Sequence, residues 1–243
     1  MHEFRTFVYL DMQKTGSSFI SAVLDRFCTE ESIRLWGHKP MESDCDRSKF
    51  YFISVRNPID AYLSLYSYGC QSQGGLRTRL AKHDLDRLYD GTMEGFGEWL
   101  RYLLKPKNID VLFGTYARLA GGAVAELLGL QSFRYLRLAL PDPTALLSGC
   151  RTRDDIRAVY REHRLPQAVI RHETFARDLC ALLEGPLRHA IGDLEGAVNF
   201  VRHSPPINAS ERIDLFESEI ALGNAVRRRF FEREWFLHEE FGY

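Results

Sequence analysis

Two short stretches gather residues able to hold an anion. The first is Gln13-Lys14-Thr15-Gly16-Ser17-Ser18, between the apolar run Phe7–Met12 and a segment whose apolar residues recur at helical spacing. A helix N-terminus leaves backbone N–H groups unpaired and carries a partial positive charge. Gly16 lets the backbone approach a bulky anion, Ser17 and Ser18 add hydroxyl donors, and Lys14 adds a full charge. Together they make a cradle for phosphate or sulfate. The common nucleotide-triphosphate loop, GxxxxGK[ST], puts its lysine after the last glycine. Here the lysine comes first, so this is a different cradle. Taken alone, the stretch also fits an ordinary turn with a solvated lysine.

The second stretch is Arg56-Asn57-Pro58-Ile59-Asp60, which follows the apolar run Phe50–Val55. Asn57 is a good helix cap, Pro58 suits the first helical position and Asp60 complements the positive end of the dipole. Ser64 lies two helical turns beyond Asn57, on the same face. A phosphate along this helix would meet the Arg56 fork and the Ser64 hydroxyl, at roughly 1.5–3 kcal/mol per charge-assisted bond. The plainer alternatives are an Arg56 pair with Asp60 and a neutral, exposed Ser64. Two anion sites at neighbouring strand ends point to a nucleotide with phosphates at both ends of its ribose.

The elements that must position these stretches follow from the apolar pattern. Phe7–Met12 and Phe50–Val55 read as strands with no polar face, which belong in the middle of a covered sheet. Phe19, Ile20, Val23, Leu24 and Phe27 form one face of a helix. A short apolar strand, Ile33–Trp36, leads to Gly37-His38-Lys39-Pro40, and 41–49 reads as a loop. Residues 71–108 read as inserted helices and loops, followed by a helix around 115–129 and a strand at Phe133–Leu138. A helix at 153–163 and a strand at Gln167–Arg171 come next, then a helix to about Ile191. The tail holds a loop, HSPPINAS, and two charged amphipathic helices, 211–222 and 224–240. Its apolar stripe, Phe230, Phe231 and Phe236 with Trp235, reads as core, and Arg227-Arg228-Arg229 as a solvated face paired with Glu232 and Glu234. Strand–helix alternation predicts an α/β fold, a parallel central sheet flanked by helices, with ligands at the carboxyl ends of its strands.

Composition narrows the function classes. The 243 residues suit a single domain, 1–243, with 71–132 as a helical insertion. A net charge of −1 gives no global attraction for nucleic acid or anionic lipid. No apolar stretch reaches membrane-spanning length, and MHEFRTFVYLDM lacks the pattern of a signal peptide. The five cysteines are scattered, odd in number and without a CxxC, which fits a reducing, cytoplasmic setting. The sequon Asn208-Ala209-Ser210 is then irrelevant as a glycan acceptor. No HExxH or carboxylate cluster demands a metal.

"QKTGSS" followed by "FYFISVRNPIDAYLSLYSYG" resembles the sulfotransferases that use 3′-phosphoadenosine 5′-phosphosulfate (PAPS). The resemblance implies a P-loop-like sulfotransferase fold. It implies that Lys14, Thr15, Gly16, Ser17 and Ser18 bind the 5′-phosphosulfate and that Arg56 and Ser64 bind the 3′-phosphate. The segment AVIRHETFARDL and the ending EWFLHEEFGY resemble later elements of bacterial and carbohydrate sulfotransferases. Two departures stand out. Gln13 replaces the proline usual before the loop lysine, and the RKGxxGxW lid is absent. NASER, 208–212, occupies a comparable place, so Asn208, Ser210 and Arg212 are the lid candidates, with Ser210 equally a helix cap.

The resemblance also implies a base between the two nucleotide motifs. His38 in GHKP matches the histidine version, and an imidazole titrates near neutral pH; the plainer alternative is a half-buried histidine bonding a loop carbonyl. Glu42 is the alternative base, and Lys39 could hold the transferring group. The expected acceptor is a saccharide or other hydroxyl compound, with Trp36, Tyr66, Tyr68, Trp99 and Tyr116 as cleft aromatics and 71–132 shaping its site. The expected product is adenosine 3′,5′-bisphosphate, with no metal required. Two rival readings are a nucleotide-triphosphate-dependent kinase, with Asp11 at the first strand end as its magnesium holder, and a non-catalytic bisphosphonucleotide-binding protein. The sulfotransferase reading requires Lys14 and Arg56 to lie together rather than on opposite surfaces.

Overall fold

A computed structural model describes residues 1–41, 45–108, 111–112, 123–207 and 223–243. It is an α/β structure built on a five-stranded mixed sheet of order β3-β1-β2-β4-β5. The strands are β1 (His2–Glu3), β2 (Phe7–Leu10), β3 (Arg34–Leu35), β4 (Phe50–Val55) and β5 (Ala168–Arg171). β2, β4 and β5 run parallel, with Leu10 opposite Ile53 and Val55 opposite Arg171. β1 is antiparallel to both β2 and β3. The parallel core is therefore as expected, but two short antiparallel strands extend it. β3 falls within the strand expected at Ile33–Trp36, whereas β1 is too brief for an apolar pattern to mark it; Ile33 and Leu35 on the outer edge are 54 % and 65 % exposed.

The helices are α1 (Ser17–Phe27), α2 (Pro58–Cys70), α3 (Gly75–Ala81), α4 (Met93–Leu103), α5 (Ala123–Leu127) and α6 (Leu130–Ala139). They continue as α7 (Pro143–Ser148), α8 (Arg153–His163), α9 (Phe175–Glu184), α10 (Leu194–His203), α11 (Asn224–Arg233) and α12 (Trp235–Phe241). The chain divides into two compact units: Met1–Arg56 with Tyr135–Pro143 and Tyr160–Ala209, and Asn57–Arg134 with Thr144–Val159 and Ser210–Tyr243. Among the described residues no helix is long and apolar enough to cross a membrane. All five cysteines are thiols.

In the first unit, Phe7, Tyr9, Phe52 and Ile170 on one sheet face join Phe19, Ile20, Val23 and Leu24 of α1 and the apolar residues of α9 and α10 in one core. The alternate residues Val8, Leu10, Tyr51, Ile53 and Val55 are buried as well. Burial on both faces is why the two central strands carry uninterrupted apolar runs.

In the second unit, Tyr62, Tyr66, Phe96, Trp99 and Phe230 pack edge-to-face around one another and are all buried. Tyr66 and Trp99 are therefore core residues and cannot line a cleft. Phe230, Trp235 and Phe236 are buried as the apolar stripe predicts, whereas Phe231 is 38 % exposed.

Residues 133–138 are helical, not a strand. The run is buried on nearly every side, so its period is hidden, and nothing local caps it. The cap comes from Glu234, whose carboxylate accepts bonds from the backbone N–H of Gln131 (3.1 Å) and Ser132 (2.8 Å), the Ser132 hydroxyl (2.7 Å) and the Tyr62 hydroxyl (2.5 Å). Its neighbour Arg233 donates to the carbonyls of Ala125, Glu126 and Leu128 at the other helix end, that of α5. One adjacent pair of opposite charges thus serves a helix C-terminus and a helix N-terminus, each with the favourable sign. Turning Glu234 inward breaks the expected helix 224–240 into α11 and α12, and leaves Arg228 to pair with Glu232 at 3.7 Å. The expected helix 211–222 and most of the helix expected at 115–129 lie outside the described residues.

Candidate functional site

The carboxyl ends of β2 and β4 carry the first unit's candidate residues. The turn from β2 into α1 is compact because two of its residues adopt the left-handed region: Lys14 at φ 67° and Gly16 at φ 94°. Gly16 is also the cap of α1, and a Cβ there would lie 2.6 Å from Cε2 of Phe175. No side chain closes the cap, and the first turn of α1 carries no acid. The helix start therefore keeps its positive end available to an anion.

Thr15 is fully buried and braces this turn from within. Its hydroxyl donates to the Met12 carbonyl (2.7 Å) and meets the Ser54 hydroxyl (2.6 Å), which in turn meets the Tyr9 hydroxyl (2.7 Å). Burial pushes the Tyr9 phenol well above its ordinary pKa, so the chain stays neutral. The Thr15 side chain thus holds the turn rather than reaching outward, leaving its backbone N–H as its means of touching a ligand. Ser17 is half-buried and Ser18 exposed at the start of α1.

Arg56 follows β4 directly, and its Nη1 donates to the Lys14 carbonyl at 3.4 Å. The two cations share one corner. Burial, and then the Arg56 charge, hold the Lys14 pKa below its ordinary value. Such a pair stabilises a bound anion through both groups.

Ser64 belongs to the second unit. On α2, Asn57, Asp60, Ser64 and Tyr68 form a partly open stripe on an otherwise buried helix. Asn57 Oδ1 accepts from the Ile59 N–H at 3.1 Å, the cap expected from the sequence. Ser64 therefore shares its helix face with that cap.

His38 stands at the same end of the sheet as Lys14. Its Nδ1 lies 3.2 Å from Asp11 Oδ2 and 3.1 Å from the Asp11 carbonyl, where the turn leaves β2. His38 also has a positive φ, 57°, and the Arg137 guanidinium donates to its carbonyl. A non-glycine residue at positive φ is uncommon and persists only where its surroundings hold it. Lys14 and His38 are both of this kind, and each has its own carbonyl held by an arginine. Burial penalises the Asp11 carboxylate, but bonds from His38 and Ser17 and the charges of His38 and the Met1 amino group outweigh it. The Asp11 pKa is held below the ordinary carboxylate value. Lys39 and Arg34 lie over the Trp36 ring, 5.4 and 5.1 Å from its centre.

The strand β5 ends at Arg171, whose N–H donates to Asp178 (3.0 Å), and His172 beyond it is exposed. Sequence reasoning missed Asp11 as the histidine's partner, Arg137, and the Tyr9–Ser54 brace. Polar residues inside two otherwise apolar strands were the available signal for the brace. Arg137 lay in the segment read as a strand. Glu42, Asn208, Ser210, Arg212 and Tyr116 lie outside the described residues.

Comparison of the chain with family profiles, curated proteins and solved structures returned no significant match.

Proposed function

We propose that this protein is a PAPS-dependent sulfotransferase acting on a hydroxyl of a carbohydrate or glycoconjugate. The observation that carries the reading is the gathering of Lys14, Arg56 and His38 at one end of the parallel strands. Two cations beside an uncapped helix start suit the donor, and an imidazole on the adjoining turn suits the acceptor. In this reading His38 Nε2 takes the acceptor's proton while the acceptor oxygen forms its bond to sulfur. The bond from sulfur to the bridging phosphate oxygen breaks, and its electron pair leaves with adenosine 3′,5′-bisphosphate. Lys14 neutralises the charge that grows on the bridging and sulfuryl oxygens, a preorganised electrostatic role. Ser17 through its backbone N–H and Ser18 supply donors at the 5′ side, Arg56 grips the 3′-phosphate, and the thiols suit a cytoplasmic location.

The kinase reading is weakened because Asp11, its acid, is engaged by His38. Two measurements test the proposal. Adenosine 3′,5′-bisphosphate at about 100 times its dissociation constant should stabilise the protein by about 2.7 kcal/mol, and ATP with magnesium should do less. Labelled PAPS incubated with a glycan panel should then pass sulfate to an acceptor. A larger response to ATP with magnesium would favour the kinase. Nucleotide binding without any transfer would favour the non-catalytic reading.

A further inference from the structure

The imidazole of His38 has its two nitrogens in different surroundings. Nδ1 faces two acceptors of one residue, the Asp11 carboxylate (3.2 Å) and the Asp11 carbonyl (3.1 Å). An acceptor pair fixes a proton on Nδ1 in either protonation state of the ring, so the neutral form presents its lone pair at Nε2. The side chain of His38 keeps 38 % of its exposure while that of Asp11 keeps 14 %. The ring is therefore reachable and its partner is covered. The backbone that sets the ring's direction is held at φ 57°, with the Arg137 guanidinium on its carbonyl.

We infer that Asp11 is a positioning residue: it selects the Nδ1–H tautomer of His38, aims Nε2 at the acceptor and stabilises the imidazolium formed when Nε2 takes the proton. This rests on the sulfotransferase reading for the identity of the reaction, but not for the pairing itself. No atom is lost or gained by the pair; the proton that Nε2 accepts from the acceptor hydroxyl is later released to water. Among the described residues, the charged groups around the ring are Asp11 on the turn after β2, Arg137 from α6, the Met1 amino group ahead of β1, which lies near Asp11, and the adjoining Lys39. Of these Asp11 is the anion, and its carboxylate faces Nδ1.

The test is nitrogen-15 NMR of the histidine rings in the whole protein, with His38 assigned by its loss in His38→Gln. In the wild type the neutral ring should show a protonated Nδ1 and a bare Nε2. Asp11→Asn, which keeps the shape and removes the charge, should raise the fraction of the neutral ring protonated at Nε2. It should also cut kcat with PAPS by roughly 10²- to 10⁴-fold, the usual reach of a base, with KM for PAPS little changed. A neutral ring protonated at Nε2 in the wild type would overturn the inference without any variant. So would an unmoved tautomer ratio in a folded Asp11→Asn protein. If the ring behaves as expected but no sulfate moves in the wild type, the reaction assignment fails and the pairing stands.

Discussion

Replacing Arg56 by alanine separates its two contributions, because the structure gives it two tasks of different size. As the grip on a 3′-phosphate it would supply a charge-assisted contact of roughly 1.5–3 kcal/mol, which is a factor of about 10 to 150 in affinity. As a brace it donates to the Lys14 carbonyl at 3.4 Å, longer than a good N–H···O bond. That bond is to a neutral acceptor and is worth at most about 1 kcal/mol, or about fivefold. Adenosine 3′,5′-bisphosphate and adenosine 5′-monophosphate tell the two apart. In calorimetric titrations at one ionic strength, Arg56→Ala should lose 10- to 150-fold for the bisphosphate and about fivefold or less for the monophosphate. The wild-type preference for the bisphosphate should largely vanish. An equal loss for both ligands would mean that Arg56 serves only the Lys14 turn. No loss for either would remove Arg56 from the site altogether.

Three further outcomes follow from the same geometry. Nucleotide affinity should fall as pH rises through the Lys14 pKa, which lies below the ordinary value of 10.5. Arg56→Ala removes one of the causes that lower it, so the falling limb should move to higher pH, and an affinity flat across that range would contradict the role of the ammonium. Gly16→Ala forces a Cβ into the left-handed region and to 2.6 Å from the Phe175 ring. A cost of about 2–4 kcal/mol should lower Tm by roughly 5–15 °C in thermal unfolding, and an unchanged Tm would refute the close approach. Glu234→Ala leaves the N–H groups of Gln131 and Ser132 and the Tyr62 hydroxyl without their buried acceptor. At about 1–3 kcal/mol each, the loss should be about 3–9 kcal/mol in urea unfolding, with Glu234→Gln losing less. A change within about 0.5 kcal/mol would mark Glu234 as an ordinary surface position.

Much of the scaffold around the site was legible because its causes are local. Phe50–Val55 and 153–163 were read with the bounds they have, the first from an apolar run closed by Arg56-Asn57-Pro58, the second from helical spacing. What failed has causes that act across the chain. The helix at Leu130–Ala139 takes its cap from Glu234, and α12 is separated from α11 by that same side chain turning inward. At the site, Lys14 and Arg56 announce themselves by charge at strand ends. Thr15 could be read only by type, and type does not say that its hydroxyl points into the sheet toward Ser54. Asp11 and His38 stand far apart in sequence, and only the pairing of β1 with both β2 and β3 brings the His38 turn beside the end of β2.

That pairing has a consequence for how such a chain could change its habits. Lys14 and Arg56 issue from the two innermost parallel strands, whereas His38 hangs from a two-residue ribbon at the outer rim, tied in by main-chain bonds such as Ile33 N–H to the Glu3 carbonyl and Trp36 N–H to the Met1 carbonyl. A substitution or insertion at 31–37 would swing the imidazole while leaving the nucleotide's seat untouched. Tolerance for new acceptors is thereby concentrated in a few rim residues, with Asp11 as the tether that limits how far the ring can wander.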